Sequence, residues 1–215
     1  MAIRRVFEVT ADEKLFAYHD VQFKWNGGFA ITQSRKNIRA VHEKYLAAYP
    51  DRKILEISTK SDDELGVKLS AFNLQIREGV SLESAFQGSK IFELGGPFTD
   101  LIGKPSVHAK SDGRLKKSGR LIGFNFAGKN FPLVPTTYFY DWLYVTTLAA
   151  QKNLADELLA REFDAFTDVA FNPEKSSNCQ AEAVAIFVSL SRKNLLDVAL
   201  VDEENFLRKV FGDEG

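Results

Sequence analysis

The chain has one cysteine, Cys179, so no disulfide can close within it. Its three histidines, His19, His42 and His108, lie far apart; none pairs as H-x-x-x-H, and no metal-binding spacing is present. No run approaches 18 apolar residues, so no helix is expected to span a membrane. The start M-A-I-R-R lacks the apolar stretch of a signal peptide, and a cytoplasmic protein is the plain expectation. Charge of one sign is not in excess either. At a net charge of -1, tight non-specific binding to nucleic acid is not expected, though contact through one local patch stays open. Neither G-x-x-x-x-G-K-[ST] nor G-x-G-x-x-G occurs, which removes a P-loop and a dinucleotide fingerprint. Repeats, heptads and long linkers are absent as well.

Phenylalanine is abundant. There are 18, against six tyrosines and two tryptophans, so packed aromatic layers are expected, some of them able to line a cleft. With 215 residues, 45% of them hydrophobic, the chain fits one domain over residues 1–215 with a sizeable core.

The patterning alternates between strands and helices. Arg5–Thr10 and His19–Trp25 read as strands, the second closed by Asn26-Gly27-Gly28. Phe29–Ser34 leads into a helix over Arg35–Tyr49, stopped by Pro50; its His42 reads as an edge histidine. Ile54–Ser58 reads as a short buried strand, followed by Thr59-Lys60-Ser61 and a helix or turn over Asp62–Leu69. Asn73 can donate and accept at once, which suits a ribose or a base edge, or a local turn. Gly95 and Gly96 allow close backbone approach. Leu121–Phe131 suggests a hairpin around Ala127–Asn130. Helices are expected from Pro135 to Ala149 and over Leu154–Phe163. Phe166–Pro173, with Asp168 and Asn172, reads as a turn segment. Ser176–Gln180 opens an apolar helix over Ala181–Leu190, with Cys179 a buried packing residue. One or two helices fill Asn194–Phe211, and the tail Gly212–Gly215 is expected to fray.

Two stretches bear on chemistry. In Val80–Lys90, Ser81 suits an N-cap, and Glu83, Phe86, Gln87 and Lys90 then fall at i, i+3, i+4 and i+7 on one face. An acid, an aromatic ring, an amide and an amine together suit a pocket wall, or an exposed face whose charges are merely solvated. Lys104–Arg120 holds Lys104, Lys110, Arg114, Lys116, Lys117 and Arg120 with Gly, Ser and Pro between them. It reads as an exposed basic loop that is either solvated surface or a means of steering phosphates.

These polar pieces, in order, resemble the NADAR (YbiA-like) superfamily, and more closely its branch encoded beside DarT toxins. The matching segments are Leu55–Ser61, Leu69–Leu74, Val80–Lys90, Gly95–Leu101, Tyr138–Tyr144 and Phe166–Ala181. The likeness runs from about residue 25 to 190. The family's S-x-E-x-x-Y-Q-x-x-K helix is met by Glu83, Phe86, Gln87 and Lys90, with Phe in place of Tyr. Its S-N-F-type segment falls on Ala71-Phe72-Asn73 in altered form. Its late D-x-x-W-G falls near Asp168, without the Trp-Gly. The resemblance implies an α+β, mainly helical compact fold with small strand elements. It also implies an N-glycosidase that removes ADP-ribose from guanine in DNA, as antitoxin to a DarT-type toxin, with no metal or cofactor and with ADP-ribose as product or bound ligand. Under it Glu83, Lys60 and Asp168 are the expected catalytic residues. Ser58, Thr59, Phe72, Asn73, Phe86, Gln87, Lys90, Gly95, Gly96, Trp142 and Asn172 are expected to bind substrate. An N-glycosidase acting on a phosphoribosyl metabolite, or a non-enzymatic ADP-ribose reader or toxin-blocking module, are the alternatives.

Overall fold

A computed structural model of the chain describes residues 1–12, 14–28 and 30–212. The expected fraying at 213–215, and Phe29 in the approach to the first helix, lie outside the described residues.

Strands β1 (Ala2–Val9) and β2 (Phe16–Phe23) form an antiparallel hairpin in continuous register from Ala2 opposite Phe23 to Val9 opposite Phe16. Helix α1 (Ile31–Ala48) follows, then β3 (Ile54–Glu56) and the short α2 (Glu64–Lys68), capped by the Asp63 carboxylate on Leu65 N–H at 3.0 Å. Strands β4 (Gln75–Arg77) and β5 (Val80–Ser81) pair and feed α3 (Leu82–Gly88). Ser81 caps α3 as expected, its Oγ accepting from Ser84 N–H at 3.2 Å. The helix stops at Gly88, so Lys90 opens β6 (Lys90–Phe92) rather than continuing the helical face.

The basic stretch is not a loop. It folds, after a 3-10 turn at Thr99–Leu101, into α4 (Ser106–Ser111) and α5 (Arg114–Lys117). Its cations also pair internally. Arg114 forks onto Asp100 at 2.8 and 3.0 Å and onto Asp112 at 2.9 Å, Lys104 reaches Asp100 at 3.0 Å, and Arg120 reaches Glu93 at 3.1 Å. Much of its charge is therefore spent on neighbouring carboxylates.

Next come β7 (Leu121–Phe126) and β8 (Lys129–Phe131), joined through Ala127 and Gly128, both at positive φ (50° and 83°), as a tight two-residue hairpin turn requires. Helices α6 (Tyr138–Ala150) and α7 (Lys152–Ala160) precede β9 (Ala165–Thr167). The expected turn at Phe166 thus begins as a strand, and only from Asp168 does the chain turn. Helices α8 (Gln180–Arg192), α9 (Leu196–Ala199) and α10 (Glu203–Phe211) complete the α+β fold.

The main sheet has the order β2-β1-β9-β3, with β3 and β9 parallel. Side chains alternate across it. Val6, Phe23 and Ala165 pack with Val41 and Tyr45 of α1 on one face. Phe7, Leu55 and Phe166 face the larger core, built around α8 and α6. Helix α8 is buried from Ala183 through Leu190, consistent with its nearly unbroken apolar sequence. The abundant Phe form a layer as expected: Phe86, Phe124, Phe131 and Phe139 lie with ring centroids 4.7–6.0 Å apart.

Candidate functional site

The parallel strands β3 and β9 end together, Glu56 beside Thr167. Their C-terminal extensions, Ser58-Thr59-Lys60 and Asp168-Val169, therefore emerge side by side. Helix α3 and the turn at Ser70–Phe72 face them across a cavity of about 830 Å³. Helix α2 supports this corner closely: a Cβ on Gly66 would lie 2.0 Å from the Glu56 carbonyl oxygen, so only glycine fits there.

Glu83 is buried at 4% exposure, on the first turn of α3. Gln87 Nε2, one turn on, donates to its Oε1 at 2.9 Å, and Lys110 Nζ of α4 stands 3.4 Å from the same oxygen. Lys60 does not reach Glu83; its Nζ donates to Thr59 Oγ1 at 2.7 Å. The cation beside Glu83 is Lys110, because α4 packs against α3. Lys90 Nζ sits 4.7 Å from the Phe86 ring centre. Burial lowers its pKa to about 8, helped by Lys110 and opposed by Glu83.

Asp168 accepts from Gln180 Nε2 at 2.9 Å and from Ala170 N–H at 2.9 Å. Burial nonetheless pushes its carboxyl up to about 6. Gln180 is a clamp, since its Oε1 also accepts from Ala71 N–H at 2.8 Å, tying the start of α8 to the opposite wall. Beneath Asp168 lies Glu56, which accepts from Ser58 Oγ, Thr167 Oγ1 and Val169 N–H at 2.7, 2.6 and 2.8 Å. Burial first, and the neighbouring Asp168 second, raise it to about 8. Thr167 Oγ1 also meets His42 Nε2 at 2.8 Å. His42 is half-buried at the sheet rather than on the outer face, and burial lowers it to about 4, so it is neutral at pH 7.

Of the expected site residues, Ser58, Thr59, Lys60, Phe72, Glu83, Phe86, Gln87, Lys90 and Asp168 line the cavity. Five expected residues do not. Asn73 is exposed and donates to Val67 O at 2.9 Å, its local-turn option. Gly95 and Gly96 form the turn after β6, where a Cβ on Gly96 (φ +96°) would meet Lys90 O at 2.4 Å; the close approach is to the chain itself. Trp142 packs on Phe131 and Phe126, centroids 4.8 and 6.4 Å away, behind the aromatic layer. Asn172 Oδ1 accepts from Glu174 N–H at 3.0 Å, closing a turn.

The cavity also takes in Lys110, Gln180, Tyr140, Arg4 and Trp25. Lys110 and Gln180 stood inside stretches that the sequence had marked, one as basic, one as a helix start. Tyr140 packs edge-on to Phe86 at 5.0 Å. Burial holds its phenol well above its ordinary value, so it stays protonated. Arg4 and Trp25 carried no local signal. Among the described residues, no group of three or more His, Cys, Asp or Glu side chains is placed to hold a metal ion, and no helix is long and apolar enough to cross a membrane.

Residues 2–214 match the family described as DarT1-associated NADAR antitoxin, and the chain belongs to that family. The family's association with DarT1 implies a cognate toxin of that type. No curated protein matches the sequence.

Proposed function

We propose that this protein is an ADP-ribosyl glycohydrolase that removes ADP-ribose from guanine in DNA and so reverses the lesion made by its toxin. The observation that carries the reading is the meeting of two buried carboxyl groups, Glu83 and Asp168, in one cavity with the cations Lys60, Lys90 and Lys110. Its volume, about 830 Å³, suits a ligand of nucleotide size.

Cleaving an N-glycosidic bond passes through an oxocarbenium-like state at the anomeric carbon. Glu83 takes the proton of the attacking water and steadies the positive charge. Asp168, raised to about 6, carries a proton to the departing guanine nitrogen. A C–O bond forms as the C–N bond breaks. Gln87 holds Glu83 in place, and the lysines meet the diphosphate. The guanine leaves the base stack, or arrives single-stranded, to let the cavity enclose the linkage. The scheme uses no metal.

One observation favours a second route. An amine near pKa 8 is a competent nucleophile. With the ribose ring open, Lys90 Nζ bonds to the anomeric carbon while the guanine nitrogen leaves, and water then hydrolyses the resulting imine. Borohydride reduction during turnover adds the ligand mass to Lys90 on this route alone.

The test is incubation with an oligonucleotide ADP-ribosylated on guanine, with free ADP-ribose as readout, beside calorimetry of ADP-ribose in metal-free buffer. Release of ADP-ribose and saturable binding are expected. Binding without release makes the protein a reader, and no binding up to millimolar ligand removes both readings.

A further inference from the structure

Trp25 is 42% exposed, yet it lines the cavity, as does Val107 at 64% exposure. An indole left in water in the lining of a polar cavity forgoes its usual burial. Its position is actively held. Asn37, only 1% exposed, spends its side chain on the next residue: Oδ1 accepts from Asn26 N–H at 2.8 Å and Nδ2 donates to Asn26 O at 3.0 Å. Phe23 packs beside it at a tilt, its ring centre 6.0 Å away.

One face of the indole is already covered. The Arg4 guanidinium lies 4.7 Å from the ring centre, and it is pinned there by donating to Val169 O at 2.6 Å and to Ile3 O at 2.7 Å. Arg4 would hold this place without the tryptophan. The cation therefore covers one face of the ring and leaves the other free of it, in the lining of a cavity that also bears Lys60, Lys90 and Lys110. A flat apolar ring in one cavity with three lysines matches the chemistry of a nucleotide.

We infer that Trp25 is the nucleobase platform of this site, a purine stacking on the face opposite Arg4. The purine has two sources, the adenine of ADP-ribose or a guanine of the DNA strand; that it belongs to an ADP-ribosylated strand rests on the function proposed above. Trp25 is then a specificity residue for the base and takes no part in bond cleavage.

Stacking quenches indole fluorescence, so binding is read without turnover. Wild-type and W25F proteins are titrated separately with free ADP-ribose and with an unmodified guanine-containing single strand. Quenching of wild type by ADP-ribose assigns adenine, and quenching by the unmodified strand assigns guanine; either supports the platform if W25F loses the signal. Calorimetry with the quenching ligand should show W25A about 5- to 150-fold weaker, with W25F intermediate and all three melting alike. No quenching by either ligand, the same quenching in W25F (the signal then being that of Trp142), or unchanged affinity in W25A overturns the inference. Quenching in a protein that releases no ADP-ribose would sink the glycohydrolase and leave the platform standing. Turnover without quenching does the reverse.

Discussion

Lys110 Nζ lies 3.4 Å from Glu83 Oε1, so an amine from the basic segment enters the cavity to meet the acid on the first turn of α3. The lysine is 58% exposed and the carboxyl 5%, which screens the attraction at one end and confines it at the other. The pair links the two stretches that the sequence marked as chemically interesting.

Glu83→Gln keeps the side chain's size, and its carbonyl can still accept from Gln87. Single-turnover cleavage of ADP-ribosylated DNA should fall at least about 100-fold, with ADP-ribose affinity changed far less. The melting temperature should hold. A folded E83Q protein cleaving near the wild-type rate would take Glu83 out of the chemistry.

The basic segment divides by role. Arg114 and Lys104 are tied to carboxylates, Lys110 belongs to the cavity, and Lys116 and Lys117 lie outside it. The double variant K116A/K117A should weaken capture of DNA and reduce its salt slope by about 2, leaving ADP-ribose affinity alone. K110M should do the opposite, weakening ADP-ribose binding. Equal losses of both ligands in both variants would contradict the division.

The pH–rate profile separates the two chemical routes. Direct hydrolysis needs Asp168 protonated, so the rate declines as pH rises through about 6. The imine route needs Lys90 as free amine, so the rate climbs toward pH 8, and K90M abolishes both the climb and borohydride trapping. Single-turnover rates between pH 5 and 9 decide between them.

Glu56 titrates at about 8 when folded and near 4 when unfolded. Between those values the native state binds more protons, so this contribution to stability is whole below about pH 4 and is lost as pH rises through 8. Glu56→Gln removes the titration. Its melting temperature relative to wild type should therefore improve from pH 5 to about pH 8 and level off above it. A difference independent of pH would show that Glu56 does not titrate in this range.

Gly66→Ala places a Cβ 2.0 Å from Glu56 O, so α2 or the end of β3 must shift. A cost of about 1–3 kcal/mol is expected, read from denaturant unfolding. Wild-type stability in G66A would mean that this corner yields freely.

Where neighbours along the chain decide the structure, the sequence was sufficient. The Ser81 cap and the α3 face, the Ala127-Gly128 turn and the apolar run of α8 follow from spacings of a few residues. So do nine cavity residues, since Ser58–Lys60 and Glu83–Gln87 each travel as a group. Only the tertiary structure decided the rest. Asn73 met a carbonyl six residues back before any ligand could claim it. Trp142 lies on the far side of a Phe layer whose depth no local pattern encodes. Lys110 reaches Glu83 because α4 packs against α3, and Arg4 meets Val169 across 165 residues because β1 pairs with β9. Local periodicity tells which face of an element is apolar. Which elements then share a cavity depends on strand register and helix packing between distant parts of the chain, and those are selected by burial of the whole core.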